Sequence, residues 1–206
     1  MIRLNLYRLS DEVQLPKYGT PLSSCFDLHY CAIKSTVDGY DKYNNPIVLS
    51  IDKNKALYIT PGDRVLVPTG IVMKLTKALT IETYNDLYDD KKLIRQLSIR
   101  LHARSGLALK RGLVLANAEG IIDADYQQQV FVLITNISSH GALIEHQERI
   151  AQAEVVLNEE IMISSVDEMP TQHSSRDGGF GSTGTGVVKK EVESVKEFDG
   201  YITDAS

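Results

Sequence analysis

Short β-rich runs broken by frequent turn signals dominate this chain. Three runs have the length and the β-branched content of strands: 64–67, 97–101 and 129–134. Turn sequences that contain Pro, Gly or Ser separate such runs, at 60–63, 68–70 and 138–141. Many short strands with frequent turns predict an all-β fold, either a sandwich or a barrel.

Length and charge narrow the function classes. A chain of 206 residues can bury the core of one domain with embellishments. Its formal charge of -5 argues against general binding to nucleic acid through phosphates. Two cysteines, Cys25 and Cys31, are too few for a disulfide framework or a zinc cluster, which favours a reducing compartment. Without an apolar run of signal-peptide or bilayer length, we expect a soluble cytoplasmic protein with no membrane partner.

Two segments read as insertions on the β core. The first spans about 35–57 and is rich in Asp, Asn, Lys and Tyr, and the second spans about 82–96. Within the second, the sequence of 86–94 favours a short helix. After Gly186 the chain carries mixed charge and few large apolar residues, so we expect a mobile tail unless a partner orders it.

A first candidate for chemistry is Arg104-Ser105-Gly106-Leu107-Ala108, which follows a predicted strand. It offers a cation, a hydroxyl and a glycine, and successive free N–H groups in such a turn can form a nest for an anion. The alternative is a plain strand-to-helix turn with a solvated arginine.

A second candidate is the segment 115–126, which reads as two β-segments joined near Gly120. A hairpin there would hold the Asn117 amide and the Asp123 carboxylate, groups that can read a base edge and orient a water. The alternative is a hairpin with solvated aspartates, in which Asp125 caps a turn.

Two further segments carry polar side chains in distinct settings. Residues 148–152 alternate polar and apolar types, which by itself indicates an ordinary strand with an ion pair on its outer face. Residues 176–184 combine an arginine and an aromatic ring with several glycines. A flexible flap that binds phosphate and stacks on a ring needs this composition, and a disordered linker is the alternative.

Taken in order, five segments resemble the five motifs of the trimeric dUTPase family. The first, Ser23-Ser24-Cys25-Phe26-Asp27-Leu28, is similar to the family's Ser-Ala-Gly-Tyr-Asp-Leu. The other four are 103–108, 117–126, 148–152 and 176–184. Residues 60–71 also resemble the strand and turn that the family places between its first two motifs.

The resemblance implies an all-β, jelly-roll-like antiparallel β-barrel that assembles as a homotrimer with a swapped C-terminal arm. The barrel would occupy 1–169, the glycine-rich active-site arm 170–186 and the mobile tail 187–206. Each active site would draw motifs from all three subunits, with one subunit's arm closing over a neighbour's site.

The implied reaction is hydrolysis of dUTP to dUMP and pyrophosphate with Mg²⁺, which would limit uracil incorporation into DNA and supply dUMP for thymidylate synthesis. Asp123 would position and deprotonate the attacking water. Asp27 would hold the magnesium ion through water, and the direct ligands of the ion would be phosphate oxygens.

The resemblance also implies the substrate contacts. Uracil would lie in the third motif, Tyr126 would press on the deoxyribose and exclude a 2′-hydroxyl, and Phe180 would stack on the base. The implied substrate-binding residues are Arg104, Ser105, Gly106, Asn117, Gly120, Ile121, Ile122, Tyr126, Phe131, Gln152, Arg176, Phe180, Gly181 and Ser182.

The chain departs from the family pattern at several places. Ser24 and Cys25 replace Ala-Gly, which puts side chains where the backbone approaches closely. The fifth motif has one residue fewer between Arg176 and Phe180 than the family pattern.

Two alternatives follow from the same residues. A dCTP deaminase shares the fold, but its catalytic glutamate falls where this chain has Leu133. A nucleotide-controlled interaction protein would bind a protein partner through the insertions or the tail.

Overall fold

Antiparallel strands form nearly all of the regular structure. The structure is a computed structural model that describes residues 3–76, 79–86, 89–159, 161 and 163–171, with only the backbone described for 76, 79–86 and 89–95. The strands are β1 (Arg3–Arg8), β2 (Phe26–His29), β3 (Thr36–Tyr40), β4 (Pro46–Ser50), β5 (Leu57–Ile59), β6 (Arg64–Thr76), β7 (Leu79–Asp86), β8 (Asp89–Ala103), β9 (Leu113–Leu115), β10 (Gly120–Asp123), β11 (Gln129–Asn136), β12 (Ala142–Ile144) and β13 (Arg149–Glu159). One helix, α1 (Ser105–Arg111), follows β8.

The strands form three sheets. The first sheet has the order β4-β3-β6-β11-β9, with β1 also paired to β6. The second sheet has the order β10-β8-β13-β2, with β7 also paired to β8, and β12 pairs with β5 alone. Every pairing between described strands is antiparallel. The predicted all-β antiparallel fold and the three predicted strands are therefore confirmed.

Alternation of apolar residues explains why these segments form strands with one buried face. In β11 the side chains of Val130, Val132 and Ile134 are buried, whereas Phe131 is 38% exposed. Buried side chains from all three sheets join one hydrophobic cluster. Each fully buried aliphatic side chain contributes about 1.5–3 kcal/mol to the free energy of folding, so burial in this shared core is the main interaction that holds the sheets together.

The helix α1 begins directly after β8 and ends at a glycine. Gly112 has φ of 63°, and a Cβ there would lie 2.7 Å from Cβ of Ser138. Both the left-handed backbone and the close approach require glycine. The strand-to-helix turn that was the alternative at 104–108 is present, but its Arg104 pairs with Asp27 and is not a solvated arginine.

The first insertion forms a hairpin of β3 and β4 that continues the first sheet. Its turn is closed by Asp41, whose Oδ1 accepts hydrogen bonds from the N–H groups of Tyr43 and Asn45, each at 2.8 Å. Gly39 pairs with Val65 of β6, and a Cβ on Gly39 would lie 2.5 Å from the Arg64 carbonyl oxygen.

The short helix predicted within 86–94 is wrong. The described backbone of this region belongs to β7 and β8, which pair from Leu79↔Gln96 to Asp86↔Asp89. The reason is that β8 is one continuous strand through residue 103, so pairing along the sheet outweighs a weak local helix preference.

The chain divides into two units, residues 1–162 and 163–206. The described part of the second unit, 163–171, contains no helix or strand. Among the described residues, no helix has the length and apolar character needed to cross a membrane.

Candidate active site

Asp27 on β2 is held between two arginines that come from distant parts of the sequence. Its Oδ1 lies 3.1 Å from Arg104 Nε, and its Oδ2 lies 3.2 Å from Arg149 Nη1. Arg104 Nη1 also donates to the Arg149 carbonyl oxygen at 3.2 Å. The carboxylate is only 18% exposed, so it is partly shielded from the solvent that screens ion pairs.

A cavity of about 470 Å³ opens beside this ion-pair cluster. Its lining comes from three of the predicted motifs: Gly19, Ser23, Ser24, Cys25, Asp27, Arg104, Ser105, Gly106 and Gln152. Gln152 pairs with Asp27 between β13 and β2, and its Nε2 donates to the Ala103 carbonyl oxygen at 3.2 Å. A Cβ on Gly106 would meet no atom within 4 Å, so the backbone there is open to a ligand. We call this cavity the arginine pocket.

Two titratable groups next to the arginine pocket stay neutral at pH 7. Burial, and then the negative charges of Glu154 and Asp27, raises the pKa of the Cys25 thiol. Burial lowers the pKa of His29, and the positive charges of Arg149 and Arg104 act in the same direction against the attraction of Asp27. Neither a thiolate nor an imidazolium is therefore expected at this site.

Asp123 lies in a different cavity. It ends β10 and pairs with Ser98 of β8. The cavity has a volume of about 660 Å³, and its polar lining residues are Lys74, Gln96, Ser98, Asp123, Asp125, Gln127 and Asn158. Asn158 Nδ2 donates to Ser98 Oγ at 2.8 Å, which fixes the two side chains that border Asp123.

Strand geometry separates the two cavities within one chain. Arg104, in the arginine pocket, directly follows β8 and lies six residues after Ser98, which is opposite Asp123. At about 3.3 Å per residue this distance is roughly 20 Å. The structure therefore brings Asp27, Arg104 and Gln152 together but leaves Asp123 apart from them.

The segment 115–126 is not the predicted hairpin. Its two strands lie in different sheets, because β9 pairs with β11 and β10 pairs with β8. The reversal occurs at 116–119, where Ala118 has φ of 59°. Gly120 begins β10 rather than forming the turn, and a Cβ there would lie 3.0 Å from Leu101 Cβ. Close packing against Leu101, and not turn geometry, explains this glycine.

The predicted base and sugar residues surround this reversal. Asn117 is exposed on the turn, Ile121 is 55% exposed, and Ile122 packs against the core. The Tyr126 N–H donates to the Asp123 carbonyl oxygen at 3.1 Å, and its hydroxyl donates to the Gln129 carbonyl oxygen at 2.9 Å. These two bonds fix a tyrosine ring that is 37% exposed.

Phe131 is placed differently from the other predicted base contacts. It lies on β11, opposite Pro68 of β6, and lines a cavity of about 340 Å³ with Leu9, Leu66 and Gln129 among others. The predicted arm residues Arg176, Phe180, Gly181 and Ser182 lie outside the described residues.

Sequence analysis missed Arg149, Ser98 and Asn158 as site residues. It also expected an ion pair within 148–152. In the structure Glu148 instead pairs with Arg111, while Arg149 pairs with Asp27. The alternation within 148–152 predicted a strand, and β13 begins at Arg149. The pairing of β13 with β2 brings Arg149 close to Asp27, whereas Glu148 precedes the strand and meets Arg111 at the end of α1.

No group of three or more His, Cys, Asp or Glu side chains that could hold a metal occurs in the part of the chain that the structure describes. Asp27 fits a water-mediated contact to a cation, because its Oδ2 accepts one N–H from Arg149, its Oδ1 makes an ion pair with Arg104, and each oxygen keeps a lone pair for water.

Comparison of the sequence with known proteins identifies the family of this chain. The dUTPase family model matches residues 92–184. The chain is 34% identical over 171 residues to a deoxyuridine 5'-triphosphate nucleotidohydrolase of Polynucleobacter asymbioticus, covering 83% of this chain and 89% of that protein. It is 29% identical over 185 residues to one of Heliobacterium modesticaldum, covering 89% and 97%.

Solved structures show the same fold. A dUTPase mutant of Staphylococcus bacteriophage 80alpha, solved with dUpNHpp, matches with a TM-score of 0.61 at 17% identity, covering 88% of this chain and 98% of that one. The dUTPase of phage phi11 of S. aureus, whose structure shows a species-specific insert, matches with a TM-score of 0.56 at 14% identity, covering 82% and 99%.

Proposed function

This chain belongs to the dUTPase family, and we propose that it hydrolyses dUTP to dUMP and pyrophosphate. The observation that carries the proposal is the arginine pocket. There Asp27, Arg104, Ser105, Gly106 and Gln152, from three segments of the sequence, surround one cavity. Cations, a hydroxyl, an amide and open backbone are the groups that a triphosphate needs.

Charge in the arginine pocket suits phosphate binding. Arg104 and Arg149 together carry two positive charges, of which Asp27 neutralises one. The cluster therefore keeps a net positive charge in a chain whose formal charge is -5. Such a local excess attracts a polyphosphate without making the whole surface a binder of nucleic acid.

Magnesium would be held mainly by the substrate. Asp27 is the carboxylate that lines the arginine pocket, and through bound water it would orient the ion on the phosphates. When bound, the ion would neutralise charge that develops on the phosphate oxygens and on the leaving pyrophosphate. The phi11 dUTPase is a relative by fold for which coordination of a structural Mg(II) ion is described.

Asp123 would act as the general base from another subunit. In-line attack of water on the α-phosphorus forms the new P–O bond and breaks the bond to the leaving pyrophosphate, and Asp123 would take the proton of the water. The separation of roughly 20 Å along β8 places this carboxylate too far from the arginine pocket of its own chain. In a homotrimer, one chain would supply the arginine pocket and a neighbouring chain would supply Asp123, so the separation within one chain would not prevent catalysis.

The turn 116–119 and its flanks would read the nucleoside. Asn117 and the backbone groups of Gly120, Ile121 and Ile122 would satisfy the uracil edge, which would leave unpaired groups with cytosine. The Tyr126 ring, fixed by its bond to Gln129, would oppose the 2′ position of the sugar. Phe131 on the neighbouring strand would close the base site. The arm residues Arg176, Phe180, Gly181 and Ser182 would complete the phosphate and base contacts.

The deaminase alternative has no support in the described strands. Leu133 on β11 pairs with Leu66, and this position supplies no carboxylate. The interaction role has one specific observation in its favour. Of the described strands, β7 is the only one that pairs with β8 between Asp89 and Ile94. A two-stranded ribbon is marginally stable by itself, so a protein partner that adds contacts would stabilise it.

The decisive experiment is a pyrophosphate-release assay with Mg²⁺ on dUTP, dCTP, dTTP and UTP. We expect release from dUTP to exceed release from each of the others by at least about tenfold, and to stop with EDTA. Ammonia release from dCTP, or equal turnover of all four nucleotides, would contradict the proposal. Shortening the β7–β8 hairpin should leave dUTP turnover intact, and would abolish capture of a protein partner if that role exists.

A further inference from the structure

A row of polar side chains connects β8 to the reversal at 116–119. Ser98, Arg100 and His102 alternate along β8 and therefore point to one face of the second sheet. Two of them contact Glu119, which ends the reversal. Arg100 Nη1 lies 3.1 Å from Glu119 Oε2, and His102 Nδ1 lies 3.7 Å from Glu119 Oε1.

The anchors of Glu119 are themselves fixed by β13. Arg100 Nη2 donates to Asn158 Oδ1 at 3.2 Å, and His102 Nε2 lies 3.0 Å from Glu154 Oε1. Arg100 and His102 are 22% and 30% exposed, so each is held on a largely covered surface. Glu119 therefore reaches a rigid part of the sheet, although its own side chain is 43% exposed.

The reversal is restrained by three backbone hydrogen bonds. Ala116 N–H donates to the Leu133 carbonyl oxygen at 2.9 Å, Ala118 N–H to the Leu115 carbonyl oxygen at 3.2 Å, and Glu119 N–H to the Asn117 carbonyl oxygen at 2.6 Å. The last bond ties the position of Asn117 directly to that of Glu119. Ala118 adopts a left-handed backbone, which a residue with a Cβ disfavours. No hydrogen bond to the Asn117 side chain occurs among the described residues, so that amide remains available to a ligand.

We propose that Glu119 is a positioning residue for base recognition: clamped by Arg100 and His102, it fixes the 116–119 reversal and so presents Asn117 to uracil. This inference rests on the proposed function, in which Asn117 reads the base. Glu119 would act through the reversal, because its side-chain contacts among the described residues are with Arg100 and His102 and not with Asp123. Its removal should therefore weaken binding of the nucleoside and leave the chemical step in place.

The test compares two glutamates that share one histidine. Glu119→Ala removes the clamp, whereas Glu154→Ala removes the other carboxylate on His102 and keeps the contact of Glu119 with Arg100. Both side chains are similarly exposed, at 43% and 38%. The measurements are kcat and KM for dUTP with Mg²⁺, the dissociation constant of dUMP by calorimetry, and the melting temperature.

We expect Glu119→Ala to raise KM for dUTP and the dissociation constant of dUMP about tenfold, as loss of a charge-assisted contact predicts. Its kcat should stay within about twofold, because the general base is untouched. Glu154→Ala should change each quantity by less than about twofold. Glu119→Gln should recover part of the affinity, because its amide oxygen can still accept from Arg100.

Three results would overturn the inference in an enzyme that hydrolyses dUTP. These are an unchanged KM and dUMP affinity in Glu119→Ala, equal effects of the two alanine variants, or a fall in kcat that matches the rise in KM. If the native protein releases no pyrophosphate from dUTP, the proposed function fails. The calorimetric comparison of dUMP binding still decides the role of Glu119, since it needs no turnover.

Discussion

Two positions on β8 differ in their surroundings. At Ala103 the strand leads into the arginine pocket, whose residues all come from the same chain. At Ser98 it lies beside the catalytic candidate Asp123, which is not part of that pocket. In the arginine pocket both oxygens of Asp27 are engaged by guanidinium groups within 3.2 Å. Asp123, by contrast, is exposed on β10 beside Ser98. The end of β8 leads into a preformed cluster of charged groups, whereas the interior of the strand, at Ser98, lies beside an exposed carboxylate.

This difference has a physical basis. Binding phosphate needs several groups held in fixed geometry, which ion pairs inside one chain provide before the ligand arrives. A general base needs a free carboxylate, and pairing with an arginine would lower its basicity. The separation of Asp27 from Asp123 gives each carboxylate its own environment. The cost is that one chain cannot complete the site, if the function proposed above is correct.

Removing the proposed general base is expected to have the largest effect on turnover. Asp123→Asn should lower kcat for dUTP by about 10²–10⁴-fold, because it abolishes proton acceptance with little change in volume. The dissociation constant of dUMP should change little, since the arginine pocket and the base-reading turn remain. The control is Asp125→Asn in the same cavity. Equal losses of kcat in both variants would remove the distinction between the two aspartates.

Mixing inactive subunits tests whether Arg104 and Asp123 of one chain serve different sites. Asp123→Asn and Arg104→Gln proteins are each expected to be nearly inactive. After exchange at equal concentrations, random trimers should regain about a quarter of native activity, because each mixed trimer then contains one site with both residues intact. Each protein mixed with itself is the control. Mixtures that exchange subunits but stay inactive would show that each chain builds its own site.

A smaller effect is expected when the arginine pocket loses its central carboxylate. Asp27→Asn leaves Arg104 and Arg149 close together without a negative charge between them. The free energy of unfolding should fall by about 2 kcal/mol, as for loss of a hydrogen bond to a charged group. Chemical denaturation measures this, and Arg149→Gln should cost less because its side chain is 54% exposed. A stability equal to that of the native protein would show that the cluster is not pre-organised.

The smallest effect is the pH dependence that His29, next to the arginine pocket, contributes to stability. The pKa of His29 lies below its ordinary value of 6.5, chiefly because of burial. The unfolded chain therefore binds this proton more readily than the folded chain. Stability contributed by neutral His29 is complete above pH 6.5 and is lost as the pH falls through 6.5 toward the lowered pKa.

The measurement is the free energy of unfolding between pH 7.5 and pH 5.5 for native protein and His29→Gln. The variant should show a shallower decline than the native protein, by no more than about 1.4 kcal/mol per pH unit. Parallel curves for native and His29→Gln would show that another group accounts for the slope.

Local patterns in the sequence sufficed for the elements and for the motifs. The period of two in 129–134 predicts a strand with one buried face, and β11 shows it. The order of Asp27, Arg104, Asn117, Asp123 and Gln152 along the chain resembles one family. The alternation depends on neighbouring residues, and the order of the motifs is a property of the linear sequence. Neither requires knowledge of which segments pack together.

Only the tertiary structure decided which side chains meet. In it Arg149 forms an ion pair with Asp27, and Glu148 forms one with Arg111. The strands on either side of 116–119 belong to two different sheets. It also extended β8 through a segment whose sequence favours a helix. Local preferences differ by tenths of a kcal/mol per residue, whereas strand pairing and burial add up over many residues from remote parts of the chain. Partner choice therefore follows from the packing of the whole core, which no single segment of the sequence specifies.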